Sequence, residues 1–369
     1  MPGRGKNRVE HTDFLGERPV GRHVRGQPML EINAVERRFA GSSGVQGVSL
    51  TVWPGEVTCL LGPSGCGKST TLRMIAGIER VDAGQISIAG QVVADARTDV
   101  PPEKRPVGMV FQDLALFPHM TIAQNVGFGL PRSGRGAAQI GHLLERVGLP
   151  GHADKYPHQL SGGEQQRIAL IRALATQPRV MLLDEPFSSL DQRLRVEMRE
   201  LALDLLREAG AAVVLVTHDP DEAMMMADRI AIMREGRILQ EGAPLDLYHR
   251  PVDLAVAGFL SELNVFSGRV LQGHVGTPIG DLPVPGVVEG TRVHAAFRPE
   301  HLAARRGTRS SGQAHVLRVL NLGRENVIEL KLPGHASYLR CSAPGHSDLT
   351  PGEHVEIGFD PDKALIFPH

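Results

Sequence analysis

The chain has 369 residues, enough for one large domain and one small one, and carries 40 Lys and Arg against 41 Asp and Glu. That balance gives no reason to expect a nucleic-acid partner, which needs a basic excess. Cys59, Cys66 and Cys341 form no C-x-x-C pair, so no zinc site or disulfide framework is expected and a reducing, cytosolic compartment fits best; no apolar run nears 18 residues, so any membrane role must come through partners.

Residues 1–28 are rich in Gly, Arg, His and Pro and lack a hydrophobic period. They read as a disordered extension, or as sequence upstream of a start at Met29. No apolar stretch of the signal-peptide kind precedes Met29. Val48–Val52 and Val57–Leu61 then read as strands, and Ser69–Gly77 as a helix closed by glycine. Val107–Phe111 is again strand-like. Residues 137–176 read as mostly helical, within a lobe spanning 120–176. Val180–Leu183 and Val213–Val216 are uninterrupted apolar runs, as in strands covered on both faces. The pattern predicts an α/β domain with a parallel central sheet and an inserted helical subdomain.

Near Glu262 the character changes. Val265–Val270, Val293–Phe297, Val316–Leu320, Val327–Leu332 and His354–Phe359 are short strand candidates between Gly, Pro and Asp turns. They predict a small all-β domain, sandwich or barrel-like. The expected division is therefore 1–28, 29–262 and 263–369.

Gly62-Pro63-Ser64-Gly65-Cys66-Gly67-Lys68-Ser69-Thr70 matches G-x-x-x-x-G-K-[ST]. Glycines let backbone N–H groups converge on phosphate oxygens, and the following helix aims its positive end at the same anion. Lys68 is placed to reach the β- and γ-phosphates, and the Ser69 hydroxyl to ligate Mg²⁺. The apolar strand before the loop and the helix after it are the context such a loop needs.

Asp184 and Glu185 follow the run Val180–Leu183, at the carboxyl end of a buried strand, where open α/β sheets bind ligands. Alone, this is how many strands leave a core. Beside a phosphate loop, Asp184 suits Mg²⁺ and Glu185 suits a general base for water. His218 ends the run Val213–Thr217 and suits contact with the γ-phosphate and that water.

Leu160-Ser161-Gly162-Gly163-Glu164-Gln165-Gln166-Arg167 precedes a helical pattern with apolar Ile168, Ile171, Leu174 and Ala175. Ser161 with Glu164 makes a capping box, and a capped N-terminus with two glycines is also an anion site. This run resembles the signature motif of the ABC transporter ATPases, with Glu164 where the family usually has Gln. The resemblance covers about residues 29–262, with the motifs in the family's order. It implies that Ser161, Gly162, Gly163 and Glu164 close on ATP held by the loop of a second subunit, in a head-to-tail homodimer holding two ATP molecules. Gln112 is similar to the Q-loop glutamine, which senses Mg²⁺ and water and faces the membrane subunits. Phe39 is similar to the aromatic that stacks on adenine. Asp191, in Ser188-Ser189-Leu190-Asp191, is similar to the D-loop aspartate, and His218 to the switch histidine.

The run from Pro101 to Thr121 resembles importer ATPases, which serve two membrane permease subunits and a solute-binding protein. Phe297–His301 and Gly352–Phe367 resemble the C-terminal regulatory, TOBE-like domain of such subunits. Within that group Phe259–Gly268 and the tail ending Ile366-Phe367-Pro368-His369 resemble ferric iron transport ATPases most, with polyamine, sulfate, phosphonate or sugar uptake as alternatives. An exporter ATPase fits less well, given the importer-like segment 101–121 and the C-terminal β region; so does an ABC ATPase acting on nucleic acid or ribosomes, given one cassette, no sustained heptad repeat and no zinc pattern. The 16 histidines lack metal-ligand spacing.

Overall fold

Short aliphatic runs separated by glycine turns resolve into four sheets in the computed structural model, which describes residues 26–39, 42–130, 136–307, 314–335 and 338–368. Most of the expected extension, residues 1–25, lies outside the described residues. Strands β1 (Leu30–Phe39) and β2 (Ser42–Val52) come first, then β3 (Val57–Leu61), which runs through the phosphate loop into α1 (Lys68–Ala76). Next are β4 (Ala83–Ile88), β5 (Gln91–Ala94), β6 (Val107–Val110), α2 (Ile122–Val126), α3 (Gly136–Arg146) and α4 (Gly162–Ala175). They are followed by β7 (Val180–Asp184), α5 (Gln192–Ala209), β8 (Ala212–Thr217), α6 (Pro220–Met226), β9 (Arg229–Arg234), β10 (Arg237–Gly242), α7 (Pro244–His249) and α8 (Leu254–Leu260).

The central sheet has the order β10-β9-β3-β8-β7-β6; β9 through β6 are parallel and β10 is an antiparallel edge. Every residue of β3, β7 and β8 is buried. Their side chains alternate between two cores. Leu61, Leu183 and Leu215 pack with Ile168 and Ile171 of α4, while Leu60, Leu182 and Val214 pack with Leu72 and Ile75 of α1. Each such side chain contributes about 1.5–3 kcal/mol by leaving water.

Val48–Val52 is a strand, as expected, and lies outside the central sheet. It belongs to a separate antiparallel sheet of order β2-β1-β4-β5. Val48, Leu50 and Val52 are buried while Ser49 is exposed, the alternation of a strand covered on one face. Residues 137–176 are mostly helical, as the sequence predicts, but the run is divided. Gly148, Pro150, Gly151 and Pro157 break it, and a short 3₁₀ turn at Pro157–Gln159 separates α3 from α4.

The remainder forms β11 (Asn264–Leu271), β12 (His274–Thr277), β13 (Gly280–Pro283), β14 (Arg292–Phe297), β15 (Leu302–Arg306), β16 (Ala314–Asn321), β17 (Glu325–Lys331), β18 (Tyr338–Pro344), β19 (His354–Phe359) and β20 (Leu365–Pro368). They make two antiparallel sheets, β13-β12-β11-β14-β20 and β15-β19-β16-β17-β18, around one core that includes Phe266, Phe297, Val316, Ile328 and Val355.

Arg298 ties this unit to α7. Only 2 % exposed, its guanidinium carbon lies 3.4 Å from the Tyr248 ring centre. It donates to the Tyr248 carbonyl at 2.6 Å and to Ser261 Oγ at 3.0 Å. Tyr248 in turn donates its hydroxyl to Glu300. Burial, helped by that carboxylate, pushes the Tyr248 phenol up to about 12.

Candidate functional site

The phosphate loop joins the end of β3 to the start of α1. Gly65 and Gly67 take φ of 79° and 106°, a region that residues with a Cβ rarely adopt. A Cβ on Gly62 would run into the Met233 carbonyl oxygen and lie 2.9 Å from Cys66 Sγ. The glycines are therefore required by the backbone path. Gly67 caps α1 in the left-handed region with no side-chain hydrogen bond, so no side chain of the cap pairs the first amides of the helix. Lys68 is buried, and its Nζ donates to the carbonyls of Gly62 at 2.7 Å and Pro63 at 3.0 Å. Its cation is folded onto the loop, where an anion would draw it outward. The far end of α1 is fixed by buried Arg105, which donates to the carbonyls of Met74 at 2.7 Å and Ile75 at 2.9 Å. A cation at a helix C-terminus satisfies orphan carbonyls and opposes the dipole.

Ser69 Oγ donates to Asp184 Oδ1 at 2.8 Å. Burial pushes the Asp184 carboxyl above its ordinary range, against the pull of that hydrogen bond. Asp184 lines a cleft of about 490 Å³ together with Gln112 and Arg73. Paired oxygen donors beside a phosphate loop suit Mg²⁺, which takes few protein ligands and completes its shell with phosphate and water. The donor set therefore fits that ion.

Glu185 holds φ of 45°, a strained value for a residue with a Cβ, while its amide donates to the Val216 carbonyl at 2.9 Å. The strain turns its carboxylate toward β8. His218 Nδ1 lies 3.1 Å from Glu185 Oε2. Behind the histidine, Thr217 Oγ1 donates to Glu222 Oε2 at 2.9 Å, and the Asp219 amide donates to Thr217 Oγ1 at 3.0 Å. Arg199 of α5 donates to Asp219 Oδ2 at 2.8 Å. Asp219 also caps α6, ahead of Pro220 at its first position. Sequence reasoning missed this network. The Asp-Pro pair is a legible cap signal, but nothing near Arg199 announces that it reaches 20 residues along the chain.

The structure thus brings together Gly62, Pro63, Ser64, Gly65, Cys66, Gly67, Lys68, Ser69, Thr70, Asp184, Glu185 and His218 at one edge of the central sheet, with Gln112 across the cleft. Phe39 stands at the end of β1, 39 % exposed and so not a core residue. Ser161, Gly162, Gly163 and Glu164 form a separate cluster at the start of α4. The Ser161 amide and hydroxyl both donate to Glu164 Oε2, at 2.8 and 2.7 Å, and these bonds hold that carboxyl below its ordinary range. Gly163 packs on Leu194 of α5, where a Cβ would come within 2.6 Å of Leu194 Cδ2. Asp191 caps α5 and accepts from the amides of Arg193 and Leu194. The signature and D-loop residues are therefore neighbours of each other.

The ABC transporter family matches residues 45–188, and the TOBE domain matches residues 295–367. The chain is 44 % identical over 339 residues to a Fe(3+) ions import ATP-binding protein of Rhodococcus jostii, covering 89 % of this chain and 96 % of that one. It is 39 % identical over 368 residues to a spermidine/putrescine import ATP-binding protein of Rubrobacter xylanophilus, covering 95 % and 97 %. Among solved structures, cbiO1 from Clostridium perfringens, part of the ABC transporter complex cbiONQ, superposes with a TM-score of 0.55 at 29 % identity, over 61 % of this chain and 92 % of that one. Loop, strand-end carboxylates, signature helix and matched domains occur in one chain along nearly the full length of these relatives: it belongs to the import ATP-binding proteins of the ABC transporter family, the subunits that hydrolyse ATP to drive transport.

Proposed function

We propose that this chain energises uptake of ferric iron, working as a homodimer beneath two permease subunits served by an extracytoplasmic binding protein. The iron assignment rests on the similarity to the Fe(3+) import protein. The polyamine relative, less identical but matched over more of the chain, supports the second reading of the same motor with another solute. Among the described residues no helix is long and apolar enough to cross a membrane. Attachment to the cytoplasmic face through permeases accommodates that. Residues 29–262 are then the motor and 263–369 the regulatory unit.

The observation that carries the mechanism is the placement of Glu185 and His218, 3.1 Å apart, beside the phosphate loop. ATP phosphates take the amides of Gly65 to Ser69 and the Lys68 cation. Ser69 and Asp184, with Gln112 across the cleft, would hold Mg²⁺, which neutralises phosphate charge and orients it. Phe39 stacks on adenine. Glu185 orients and deprotonates the attacking water, and His218 contacts the γ-phosphate. Ser161 and Gly163 of the partner subunit close the other side, so each site is completed only by dimerisation. Asp191, at the start of α5, belongs to the D-loop that crosses that interface.

Glu185→Gln tests the assignment. The variant is expected to bind ATP, dimerise in its presence and lose about 10²–10⁴-fold in turnover. Near wild-type hydrolysis would remove Glu185 from the role of base. Reconstitution with the permeases and binding protein, loaded in turn with ferric iron and polyamine, tests the solute. Stimulation of ATPase activity by the polyamine-loaded form alone would replace the iron reading.

A further inference from the structure

Phe39 does not stand alone at the end of β1. The Arg37 guanidinium carbon lies 5.1 Å from its ring centre. We propose that Arg37 is a positioning residue for the nucleotide base: anchored by two carboxylates, it backs one face of the Phe39 ring and fixes the other face for a purine. The inference rests on the reading of Phe39 as the stacking ring, and it adds the part that orients that ring.

The anchor is specific. Arg37 reaches Glu79 Oε1 at 2.6 Å and Asp82 Oδ1 at 2.7 Å. The second Asp82 oxygen accepts the Arg38 amide at 2.8 Å, and the Asp82 amide donates to the Glu36 carbonyl at 2.9 Å. The 36–38 segment and residue 82 are therefore stitched together by side chain and backbone alike. Glu79 follows α1 directly, and its amide donates to the Arg73 carbonyl at 3.1 Å. The ring that would hold the base is thus linked, through one guanidinium, to the far end of the helix whose near end forms the phosphate site. Gly44 on β2 closes the back of the arrangement. A Cβ there would collide with the Arg37 carbonyl and lie 3.1 Å from Phe39 Cδ2.

The physics favours this role over a plain surface ion pair. A phenylalanine that is 39 % exposed is only partly held by packing, and a purine stacks only on a ring already turned toward it. A cation over one face of the ring fixes that turn and leaves the opposite face open. Two carboxylates holding the cation keep it from swinging into water. A planar guanidinium can bridge two carboxylates and face a ring at once, whereas an ammonium is a point charge.

The test separates base from phosphate. Affinities of the full chain for Mg-ATP and for inorganic tripolyphosphate would be measured by calorimetry in wild type, Arg37→Gln, Phe39→Ala and the double variant. Arg37→Gln is expected to weaken ATP about 2–5-fold and to leave tripolyphosphate unchanged, which also shows that the variant is folded. In the Phe39→Ala background the same change should add nothing, because the ring it orients is gone. Arg37→Lys should restore part of the loss. Equal weakening of both ligands, or an undiminished effect of Arg37→Gln without Phe39, would overturn the positioning role. An unchanged ATP affinity in Phe39→Ala would instead sink the stacking reading on which it rests.

Discussion

The phosphate loop and the signature segment are both glycine-bearing turns that open a helix, and they treat the surplus of unpaired amides in opposite ways. At α1 the cap is Gly67, which offers no side-chain acceptor. The loop's cation is turned inward onto its own carbonyls. At α4 the cap is complete: Ser161 accepts from the Glu164 amide, and Glu164 accepts from the Ser161 amide. One N-terminus keeps its anion-binding capacity for a ligand. The other already has a carboxylate at its positive end and is a finished, rigid surface. In the proposed dimer the first serves as a receiver for phosphate and the second as a preformed lid.

Breaking the receiver should cost most. Lys68→Ala removes the only side-chain cation of the loop and is expected to lower ATP turnover about 10³-fold. The α4 cap is untouched, so circular dichroism should remain native. Turnover within tenfold of wild type would mean that the loop does not hold phosphate.

Asp184→Asn sharpens the comparison by separating stability from activity. Burial raises the Asp184 carboxyl above its ordinary range. The stability linked to its proton is therefore fully present below the unfolded value of about 3.9 and is lost as pH rises through the raised folded value. Raising the pH therefore asks a buried carboxyl to ionise, a cost that Asn does not carry. The Asn variant should melt about 2–4 °C higher at pH 7, match wild type near pH 4, and fail to hydrolyse ATP. A lower melting temperature at pH 7 would contradict the account of receivers as destabilised sites.

The smallest effect belongs to the lid. Glu164→Gln keeps a residue able to complete the capping box, so its melting temperature at pH 7 should move by less than about 2 °C. The difference appears in acid. Hydrogen bonds from Ser161 hold the Glu164 carboxyl low. Its contribution is present above the unfolded value of about 4.3 and is lost as pH falls through the depressed folded value. Thermal melts between about pH 3 and 5 should show that loss in wild type and not in the Glu164→Gln variant; parallel curves would remove Glu164 from the cap.

What the sequence revealed follows the same division. Motifs contained in ten residues or fewer were legible, because a tight turn, a cap and a strand end each dictate residue types locally. The phosphate loop, Asp184 and Glu185, and the Ser161–Glu164 cap all fall where the sequence places them. The antiparallel sheet was not legible. In β1 the stretch Glu36-Arg37-Arg38 hides the strand behind charges; Arg37 meets Glu79 and Asp82 about 40 residues on, and Glu36 pairs with Arg38. In the C-terminal unit β12, β13, β15, β18 and β20 escaped notice, since several span only four residues and carry glycine or proline. Contacts between distant segments, such as Arg199 with Asp219 or Arg37 with Glu79, leave no periodic trace.

The burial of Arg298 against Tyr248 has a consequence for how the molecule is made. Tyr248 leaves the ribosome 50 residues ahead of the arginine that covers its ring, an interval of about 2.5–10 s at roughly 5–20 residues per second. Over that time the apolar side chains of α8, Leu254 and Ala257 among them, lack the Ala296 and Phe367 that later enclose them. Phe367 comes 110 residues after Ala257 (367 − 257). The nascent motor therefore carries a sticky end long after its own strands are made, and this seam with the β unit closes late.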